Sequence, residues 1–490
     1  MNQMMDHTAY YKAVSARDAR FDGRFFTGVK TTGIYCRPIC PARTPKSENV
    51  TFFQTAAAAQ EAGFRPCLRC RPEAAPDLGA WKGTSNTVSR ALAMIELGAL
   101  DGGAETSGGV EKLASRLGVG GRHLRRLFVQ HLGATPIAVA QTKRVLLARR
   151  LIVDSHLSMA DVAMAAGFGS IRRFNETFLQ LYGHAPGEFR RKQVDVRNAK
   201  DGARMKLPLA PPYDWPAMLS YLKARLIEGV ETVSADTYAR SFDIEGVTGI
   251  VRVSPGKDCL IVDVRTDDLT VLPNVVARVR RLFDLGAQPD RINEDLSKDP
   301  IMQALIAERP GLRAPGAWDG FELAVRAVLG QQITVESARK LAGRLVETHG
   351  RALPETLLSD ELRFAFPSAQ TIAEADLSWL PMPRARSLTL EGLGAALRDD
   401  PDIFSLKANL QDAVKTLTSL KGVGDWTAHY VAMRAMREAD AFPAADVALI
   451  SAYEKLTGDR LKPKELESMS ERWRPWRAYA AQHLWASLAI

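Results

Sequence analysis

SLKGVGDWTAHYVAMRAM, residues 419–436, indicates how the second half of this 490-residue chain folds. In this stretch we expect a helix to end, Gly422 and Gly424 to form a hairpin, and a second helix to begin. Glycines at such a turn let backbone N–H groups approach a phosphate at a helix N-terminus. A helix that simply ends at a glycine is the competing interpretation, because the short motif alone is not specific.

The composition limits the class of protein. The chain is 46% hydrophobic and 25% charged, as in soluble globular proteins, and its length predicts about three or four domains. It has neither an apolar run that could span a bilayer nor a signal peptide, so we expect a cytoplasmic protein without a membrane partner. A formal net charge of +9 is compatible with a polyanion as partner.

Four of the five cysteines lie in two close pairs near the N-terminus. Three residues separate Cys36 from Cys40, two separate Cys67 from Cys70, and 26 lie between the pairs. This spacing is typical of tetrahedral zinc coordination, because each pair can chelate from a tight turn. Disulfides are the alternative, which a reducing compartment disfavours. The spacing predicts one zinc ion and leaves open whether that ion is only structural.

The sequence around the cysteines resembles the N-terminal domain of Ada-type DNA alkylation repair proteins. The matching stretches are FFTGVKTTGIYCRPICPAR (25–43) and AGFRPCLRCRPE (62–73). The resemblance implies that Cys36 takes a methyl group from a methylphosphotriester in DNA, and that Thr32 and Arg43 hold the phosphate. It also implies the zinc ligands Cys36, Cys40, Cys67 and Cys70. Four thiolates on Zn(II) carry a net charge of about −2, which keeps sulfur nucleophilic, and methylation would weaken the repulsion from DNA.

A second region contains an internal repeat. LASRLGVGGRHLRRLFVQHLGATP (113–136) is echoed by VAMAAGFGSIRRFNETFLQLYGHAP (162–186). Each copy predicts a short helix, a glycine-centred turn and a longer helix whose basic positions include Arg122, Arg125 and Arg172. A helical bundle with a solvated basic face is the alternative, which the duplication disfavours. The pair resembles the AraC-type regulator domain, which implies that each longer helix binds a major groove.

The second half of the chain resembles AlkA-type 3-methyladenine DNA glycosylases of the helix-hairpin-helix superfamily. Matching stretches include PPYDWPAMLSYL (211–222), GAWDGFELAVRAVLGQQITV (316–335), FPAADVAL (442–449) and ERWRPWRAYAAQHLW (471–485). By this resemblance Asp446 is the catalytic carboxylate and Gly422 and Gly424 contact DNA. Trp426, Tyr430 and Trp485 line the pocket for a flipped base. Gln332 stands where some relatives have a wedge leucine, so the identity of the wedge residue stays open.

These residue types suit the excision of an alkylated base. Aromatic faces attract a cationic base by about 0.5–2 kcal/mol per contact, and a carboxylate stabilises the charge that develops on the sugar. Taken singly, the aromatic residues could be core residues and Asp446 could be a helix N-cap. Trp426 occupies the position of the Schiff-base lysine of bifunctional relatives, so we expect base excision without strand cleavage.

Together these patterns predict a multidomain, mainly α-helical chain. Its expected domains are a small α+β four-cysteine zinc domain (1–78), a tandem helix-turn-helix domain (84–192), a small α+β domain of the AlkA N-terminal type (205–288) and an all-α helix-hairpin-helix glycosylase domain (289–490). We expect a monofunctional 3-methyladenine glycosylase and methyl acceptor coupled to transcriptional activation.

The expected partner is double-stranded DNA, both alkylated and promoter DNA, and RNA polymerase is a further candidate. We expect a monomer, associated with the nucleoid of a bacterial cytoplasm. One alternative is a transcription regulator whose inactive glycosylase half only grips DNA. Another is an active glycosylase whose N-terminal half is a plain docking module.

Overall fold

The computed structural model describes residues 7–488 except 19–20, 73–74, 76–86, 97, 101–106, 155–156, 191–201, 360, 406 and 408. The chain divides into two compact units. The first consists of Met1–Ala80, Thr87–Leu209 and Asp268–Asn274, and the second of Trp81–Asn86, Ala210–Asp267 and Val275–Ile490. The prediction of a mainly helical multidomain chain is confirmed. Among the described residues, no helix is long and apolar enough to cross a membrane.

The first unit begins with a four-stranded sheet and two helices. Its elements are α1 (His7–Ala16), β1 (Phe26–Val29), β2 (Ile34–Cys36), β3 (Val50–Phe53), α2 (Ala56–Glu61) and β4 (Arg65–Pro66). The strand order is β3-β1-β2-β4, and β2 runs parallel to β4 with Tyr35 opposite Pro66. This register places Cys36 and Cys67, the next residue of each segment, side by side.

Six α-helices and a strand follow among the described residues of the first unit. They are α3 (Thr87–Glu96), α4 (Ser107–Arg116), α5 (Gly121–Leu132), α6 (Pro136–Asp154), α7 (Met159–Ala165), α8 (Ile171–Tyr182) and β5 (Gly202–Pro208). The pairs α4–α5 and α7–α8 are the two predicted helix-turn-helix motifs, and α6 connects them. Helices α5 and α8 end at Gly133 and Gly183, whose φ angles of 69° and 72° suit glycine.

Helix α2 joins the four-stranded sheet that carries the cysteines to the first helix-turn-helix motif. The Thr55 hydroxyl donates to the Leu132 carbonyl at the end of α5, at 2.8 Å. Gln60 donates to the Tyr35 hydroxyl at 2.9 Å, and its amide oxygen accepts from the Thr142 hydroxyl of α6 at 2.8 Å. The strand that ends at Cys36 and the helices α5 and α6 are therefore linked through a single short helix.

The remaining elements are mostly helical, as predicted. The first of them are α9 (Trp215–Arg225), β6 (Glu231–Ser234), β7 (Thr237–Ile244), β8 (Val247–Gly256), β9 (Cys259–Thr266), α10 (Leu272–Leu282), α11 (Pro289–Leu296) and α12 (Pro300–Glu308). Next come α13 (Gly320–Leu329), α14 (Val335–His349), β10 (Arg351–Ala352), β11 (Phe364–Ala365), α15 (Ala369–Glu374), α16 (Arg384–Asp399) and α17 (Leu410–Thr418). The last are α18 (Asp425–Arg434), α19 (Val447–Thr457), α20 (Pro463–Ser470) and α21 (Arg477–Ser487). Strands β6 to β9 form an antiparallel meander, and the two-residue strands β10 and β11 pair with each other.

The glycine hairpin lies between α17 and α18, as the opening motif predicts. Gly422 has a φ of 83°, a left-handed conformation that favours glycine. A Cβ atom at this position would lie 2.0 Å from the Thr389 hydroxyl oxygen. Gly424 has no neighbour within 4 Å of the corresponding position. The hairpin thus packs on α16 at Gly422 and presents open space at Gly424.

Candidate functional site

A cavity of about 960 Å³ opens beside the hairpin in the second unit. Its lining includes four residues that the sequence assigns to one pocket, Trp426, Tyr430, Asp446 and Trp485. They come from α18, from the residue before α19, and from α21. The volume lies at the upper end of the range of about 300–1,000 Å³ for ligand pockets. The fold therefore brings the predicted pocket residues together around a space that can accept a nucleobase.

Three N–H groups hold the Asp446 carboxylate. Trp426 Nε1 donates to Oδ2 at 2.8 Å, and Trp485 Nε1 donates to Oδ1 at 3.0 Å. The backbone N–H of Leu449 also donates to Oδ1 at 3.0 Å, so Asp446 is the N-cap of α19 as well. A carboxylate has about four lone-pair positions, which leaves one on Oδ2 for a ligand. The N-cap position and the predicted catalytic carboxylate thus coincide at one residue.

The aromatic side chains form one wall of the cavity. The rings of Trp426 and Tyr430 stack on each other with centroids 5.3 Å apart and planes at 9°. Tyr430 and Trp485 meet edge to face at 6.5 Å. Because Trp426 and Tyr430 already lie against each other, a planar ligand must stack on an outer face of this wall.

Three further residues of this wall were missed by sequence reasoning. The Tyr221 hydroxyl lies 3.3 Å from the Tyr430 hydroxyl, and the guanidinium groups of Arg225 and Arg434 contact the Tyr221 ring. Burial raises the pKa of Tyr430 to about 12. Tyr221 lies in the quoted stretch 211–222, but its partner is 209 residues away. Only the tertiary structure reveals this pairing.

The loop after α13 is tied to the hairpin. Gln331 donates to the Gly422 carbonyl at 3.1 Å and to the Thr427 hydroxyl at 3.3 Å. Arg386 donates to the Gln331 carbonyl at 2.7 Å. Gln332 is exposed at the rim of the cavity and has a left-handed φ of 59°. Gln332, the predicted position of a wedge residue, thus lies beside the hairpin whose glycines are predicted to contact DNA.

In the first unit, the four predicted zinc ligands meet. Their sulfur atoms all lie within 4.8 Å of one another. Zinc–sulfur bonds of about 2.3 Å separate the sulfurs of a tetrahedral site by roughly 3.8 Å, so the cluster fits one zinc ion. Cys67 and Cys70 are buried, whereas Cys36 and Cys40 are partly exposed. Only the first pair is therefore open to a large substrate.

Arg37 supports this cluster and was not predicted. Its backbone N–H donates to Cys70 Sγ at 3.3 Å, and its guanidinium donates to the Cys70 carbonyl at 3.1 Å. The same guanidinium forms an ion pair with the buried Asp22. Its place in the sequence between Cys36 and Cys40 was the feature from which a role at the cluster could have been predicted. Arg37 thus holds the two cysteine segments together.

The predicted DNA contacts of the first unit lie on different secondary-structure elements and in turns. Thr32 is exposed in the turn between β1 and β2, and Arg43 is exposed after Cys40. Arg122 is exposed on α5, and Arg172 on α8 pairs with Glu176 of its own helix at 2.8 Å. Arg125 instead forms an ion pair with Glu111 of α4 at 3.0 Å. Arg125 therefore links the two helices of the first helix-turn-helix motif.

Comparison with known proteins identifies the family. Three family models match, the metal binding domain of Ada at 9–73, a helix-turn-helix domain at 113–192 and the AlkA N-terminal domain at 204–319. A probable bifunctional transcriptional activator/DNA repair enzyme AlkA from Mycobacterium tuberculosis is 41% identical, over 99% of this chain and 97% of that protein. The chain belongs to the family of this bifunctional transcriptional activator/DNA repair enzyme AlkA. The resemblances to Ada and to AlkA are thereby confirmed.

Two further relatives match the second half of this family member. DNA-3-methyladenine glycosylase 2 of Escherichia coli is 35% identical, over 56% of this chain and 94% of that protein. A 3-methyladenine DNA glycosylase structure from Archaeoglobus fulgidus superposes with a TM-score of 0.51 at 20% identity, over 58% of this chain and 97% of that one. The second of these matches shows a shared fold.

Proposed function

We propose that this protein repairs alkylated DNA by two separate reactions. Asp446 serves the excision of alkylated bases of the 3-methyladenine type, and Cys36 accepts methyl groups from methylphosphotriesters. The observation that carries the first reaction is the Asp446 carboxylate, fixed by two indole N–H groups at a cavity beside a glycine hairpin. The proposed domains are 1–78 for methyl transfer, 84–192 for promoter binding, and 205–288 with 289–490 for excision.

In the excision reaction, the bond between the sugar C1′ and the base nitrogen breaks, and its electron pair leaves with the base. Asp446 stabilises the positive charge that develops on the sugar. The open position of Oδ2 orients a water molecule, which adds to C1′ and gives its proton to Asp446. Trp426 stands in place of a Schiff-base lysine and Lys421 precedes the hairpin glycines, which supports hydrolysis without strand cleavage.

The test of excision is the replacement of Asp446 by Asn. We expect release of 3-methyladenine from alkylated duplex DNA to fall by about 100-fold or more, because the charge on the sugar loses its counterion. Asp459→Asn, the same change at an exposed position after α19, is the matched control. Normal release by the Asp446 variant would refute the assignment.

The methyl-transfer reaction is supported by the cysteine cluster. The Cys36 sulfur attacks the methyl carbon and forms a C–S bond, while the C–O bond breaks and its electron pair stays on the phosphate oxygen. When bound, zinc keeps the sulfurs of Cys36, Cys40, Cys67 and Cys70 ionised. The exposed Thr32 and Arg43 are proposed to hold the phosphate.

Mass spectrometry tests the acceptor directly. After incubation with DNA that carries methylphosphotriesters, the peptide containing Cys36 should gain one methyl group. Cys36→Ala should show no protein methylation, whereas Cys259→Ala, which alters the cysteine outside the cluster, should behave as wild type. Undiminished methylation of the Cys36 variant would place the acceptor elsewhere.

The remaining proposed roles concern DNA binding and activation. Gly422 and Gly424 grip the DNA backbone, Gln332 enters the gap left by the flipped base, and α5 and α8 read promoter DNA through residues that include Arg122 and Arg172. Methylation of Cys36 removes a negative charge and would favour promoter binding by a monomer that recruits RNA polymerase. In the alternative, a regulator with an inactive glycosylase half, Asp446 and its two indole donors have no role, and the base-release assay separates the two.

A further inference from the structure

We propose that the two helix-turn-helix motifs contact DNA in different ways. Helix α8 reads a guanine through Arg172, which Glu176 holds in a fixed orientation, whereas α5 binds the DNA backbone without distinguishing one base from another. Arg172 is thus a residue that determines sequence specificity. The inference rests on the proposed binding of promoter DNA and assigns a separate part of that binding to each helix.

Helices α5 and α8 differ in charge although they belong to two copies of one motif. Helix α5 carries three arginines and no acid, a formal charge of +3 with histidine neutral, whereas α8 carries two arginines and Glu176, a formal charge of +1. Glu176 is exposed and occupies the position that Arg126 has in the first copy. A carboxylate weakens binding at a surface that meets only phosphates. The exposed acid of α8 therefore suits a contact with base edges rather than with the backbone.

Glu176 fixes the orientation of Arg172. The Nε of Arg172 donates to Glu176 Oε1 at 2.8 Å, one helical turn away, and both side chains are exposed. An arginine that is held through Nε keeps both of its Nη groups, which can donate side by side to two acceptors. Guanine presents such a pair, O6 and N7, at its edge in the major groove. Arg172 is the second residue of α8 and so lies in the first turn, where recognition helices contact bases.

Arg122 occupies the same position on α5 without an acidic partner. Its side chain is exposed, and within the described part of the chain no hydrogen bond or ion pair holds its guanidinium. The residue four positions later is Arg126, which bonds His123 Nδ1 at 3.0 Å. A guanidinium without a fixed orientation still supplies the charge that a phosphate contact needs. Arg122 therefore suits the backbone, and it lacks the fixed pair of donors that selects guanine.

The first residues of the two helices differ as well. On α5 the Glu111 carboxylate accepts from the Gly121 N–H at 3.1 Å, which places a negative charge at the start of the helix. On α8 the hydroxyl of Ser170 caps the first turn instead. Ile171, in the position of Gly121, is 46% exposed and lies beside Arg172. An exposed apolar side chain suits contact with the methyl group of thymine. The first turn of α8 thus offers contacts for base edges that the first turn of α5 lacks.

In vitro selection with the full-length protein tests the inference. Duplexes with a randomised segment are selected by binding, with and without prior incubation of the protein with methylphosphotriester DNA, and the selected duplexes are sequenced. We expect the wild type to select a site with a guanine whose replacement lowers the affinity by about 5-fold to 150-fold. Arg172→Ala should remove this preference. Arg122→Ala, the matched loss of one exposed charge, should lower the affinity for all sequences alike and keep the preference.

Glu176→Gln separates an orienting role from that of a plain surface charge. Loss of the carboxylate should raise the affinity for unrelated DNA a few-fold, because a repulsion from phosphates is removed. It should also lower the preference for guanine, because Arg172 loses its fixed orientation. Fluorescence anisotropy measures both effects with the selected duplex and with a duplex that has A·T in place of the selected G·C pair.

Three results would overturn the inference. They are a guanine preference that survives Arg172→Ala, an equal loss of preference in Arg122→Ala, and an unchanged preference in Glu176→Gln. Selection of no sequence by the wild type, whether or not it is methylated, would instead refute the proposed promoter binding itself.

Discussion

The two groups proposed to react in this protein, the sulfur of Cys36 and the carboxylate of Asp446, are held in opposite ways. Cys36 lies among three other cysteines with all sulfurs within 4.8 Å, a grouping that requires a cation when the sulfurs are ionised. The Asp446 carboxylate receives its three hydrogen bonds from N–H groups without formal charge, those of Trp426, Trp485 and Leu449. The negative charge of Cys36 thus needs a metal ion for its stabilisation, whereas that of Asp446 is stabilised by the dipoles of N–H groups.

This difference matches the proposed fate of each group. A thiolate that forms a bond to carbon is consumed, so the cysteine cluster acts once. A carboxylate that stabilises charge, takes a proton from the attacking water and later releases it is returned unchanged, so the excision site can turn over. The protein would thus combine a methyl acceptor that reacts once, at Cys36, with an excision site that acts repeatedly.

The largest expected effect is the complete separation of the two reactions. Cys36→Ala should abolish protein methylation and leave base release within about 2-fold of wild type, and Asp446→Asn should do the reverse with a loss of about 100-fold. Both products are measured in one incubation with methylated duplex DNA. A strong loss of base release in Cys36→Ala would show that the two regions are not independent.

The next effect concerns the stability of the excision region. Glu322 is buried between Arg240, at 2.7 Å, and Arg326, and Glu231 completes this network in the cavity lining. Glu322→Gln should lower the free energy of unfolding of this region by about 3–5 kcal/mol, because it leaves two buried guanidinium groups with one carboxylate, that of Glu231. Denaturant titration measures the loss, with the exposed Glu336→Gln as control. Zinc chelation should destabilise only the first unit.

The same network predicts how stability depends on pH. Burial would raise the pKa of Glu322, but Arg240 and Arg326 outweigh burial and lower it to about 2. Because the folded pKa lies below the ordinary value of 4.5, this stabilisation is present above about pH 4.5 and is lost as the pH falls towards about 2. Unfolding of Glu322→Gln should therefore depend less on pH in that window than unfolding of the wild type.

A smaller effect is expected at the indole donors. Trp485→Phe removes the N–H that donates to Asp446 Oδ1 and keeps most of the ring. We expect base release to slow by about 10-fold, the effect of losing one hydrogen bond to a charged group, while Cys36 methylation stays normal. Trp379→Phe, at a tryptophan that is 42% exposed, serves as control. Equal rates in both variants would show that the indole dipole does not contribute.

The smallest effect lies in the first unit. Arg122→Ala on the exposed face of α5 should weaken DNA binding only a few-fold and reduce the salt dependence by about one counterion. Arg125→Ala should instead lower thermal stability, because Arg125 bonds Glu111 within the motif. Fluorescence anisotropy at several salt concentrations and thermal melting distinguish the two. Base release should be unaffected by both.

The sequence predicts the parts of both sites that depend on local spacing. The cysteine pairs and the hairpin around Gly422 are visible because their residues are few positions apart. The pairing of Tyr221 with Tyr430 spans 209 residues, and the contacts of Arg434 with the rings of Tyr221, Tyr430 and Trp485 depend on how α9, α18 and α21 pack. Helical periodicity shows which face of a helix is apolar, but it does not show which faces meet. Family resemblance identified Asp446, and only the structure revealed its three donors.

The hydrogen bonds of Gln331 have a consequence for the mechanics of DNA binding. They join the loop that carries Gln332 to the hairpin that would hold the DNA backbone, across 91 residues of sequence. The separation between the proposed backbone contact at Gly422 and the proposed wedge position at Gln332 is therefore set in the protein before DNA binds. A duplex that binds both must adapt its own geometry, so stiff, well-stacked DNA would resist and weakened base pairs would yield. With both contacts as proposed, DNA that deforms easily would bind more readily than intact DNA.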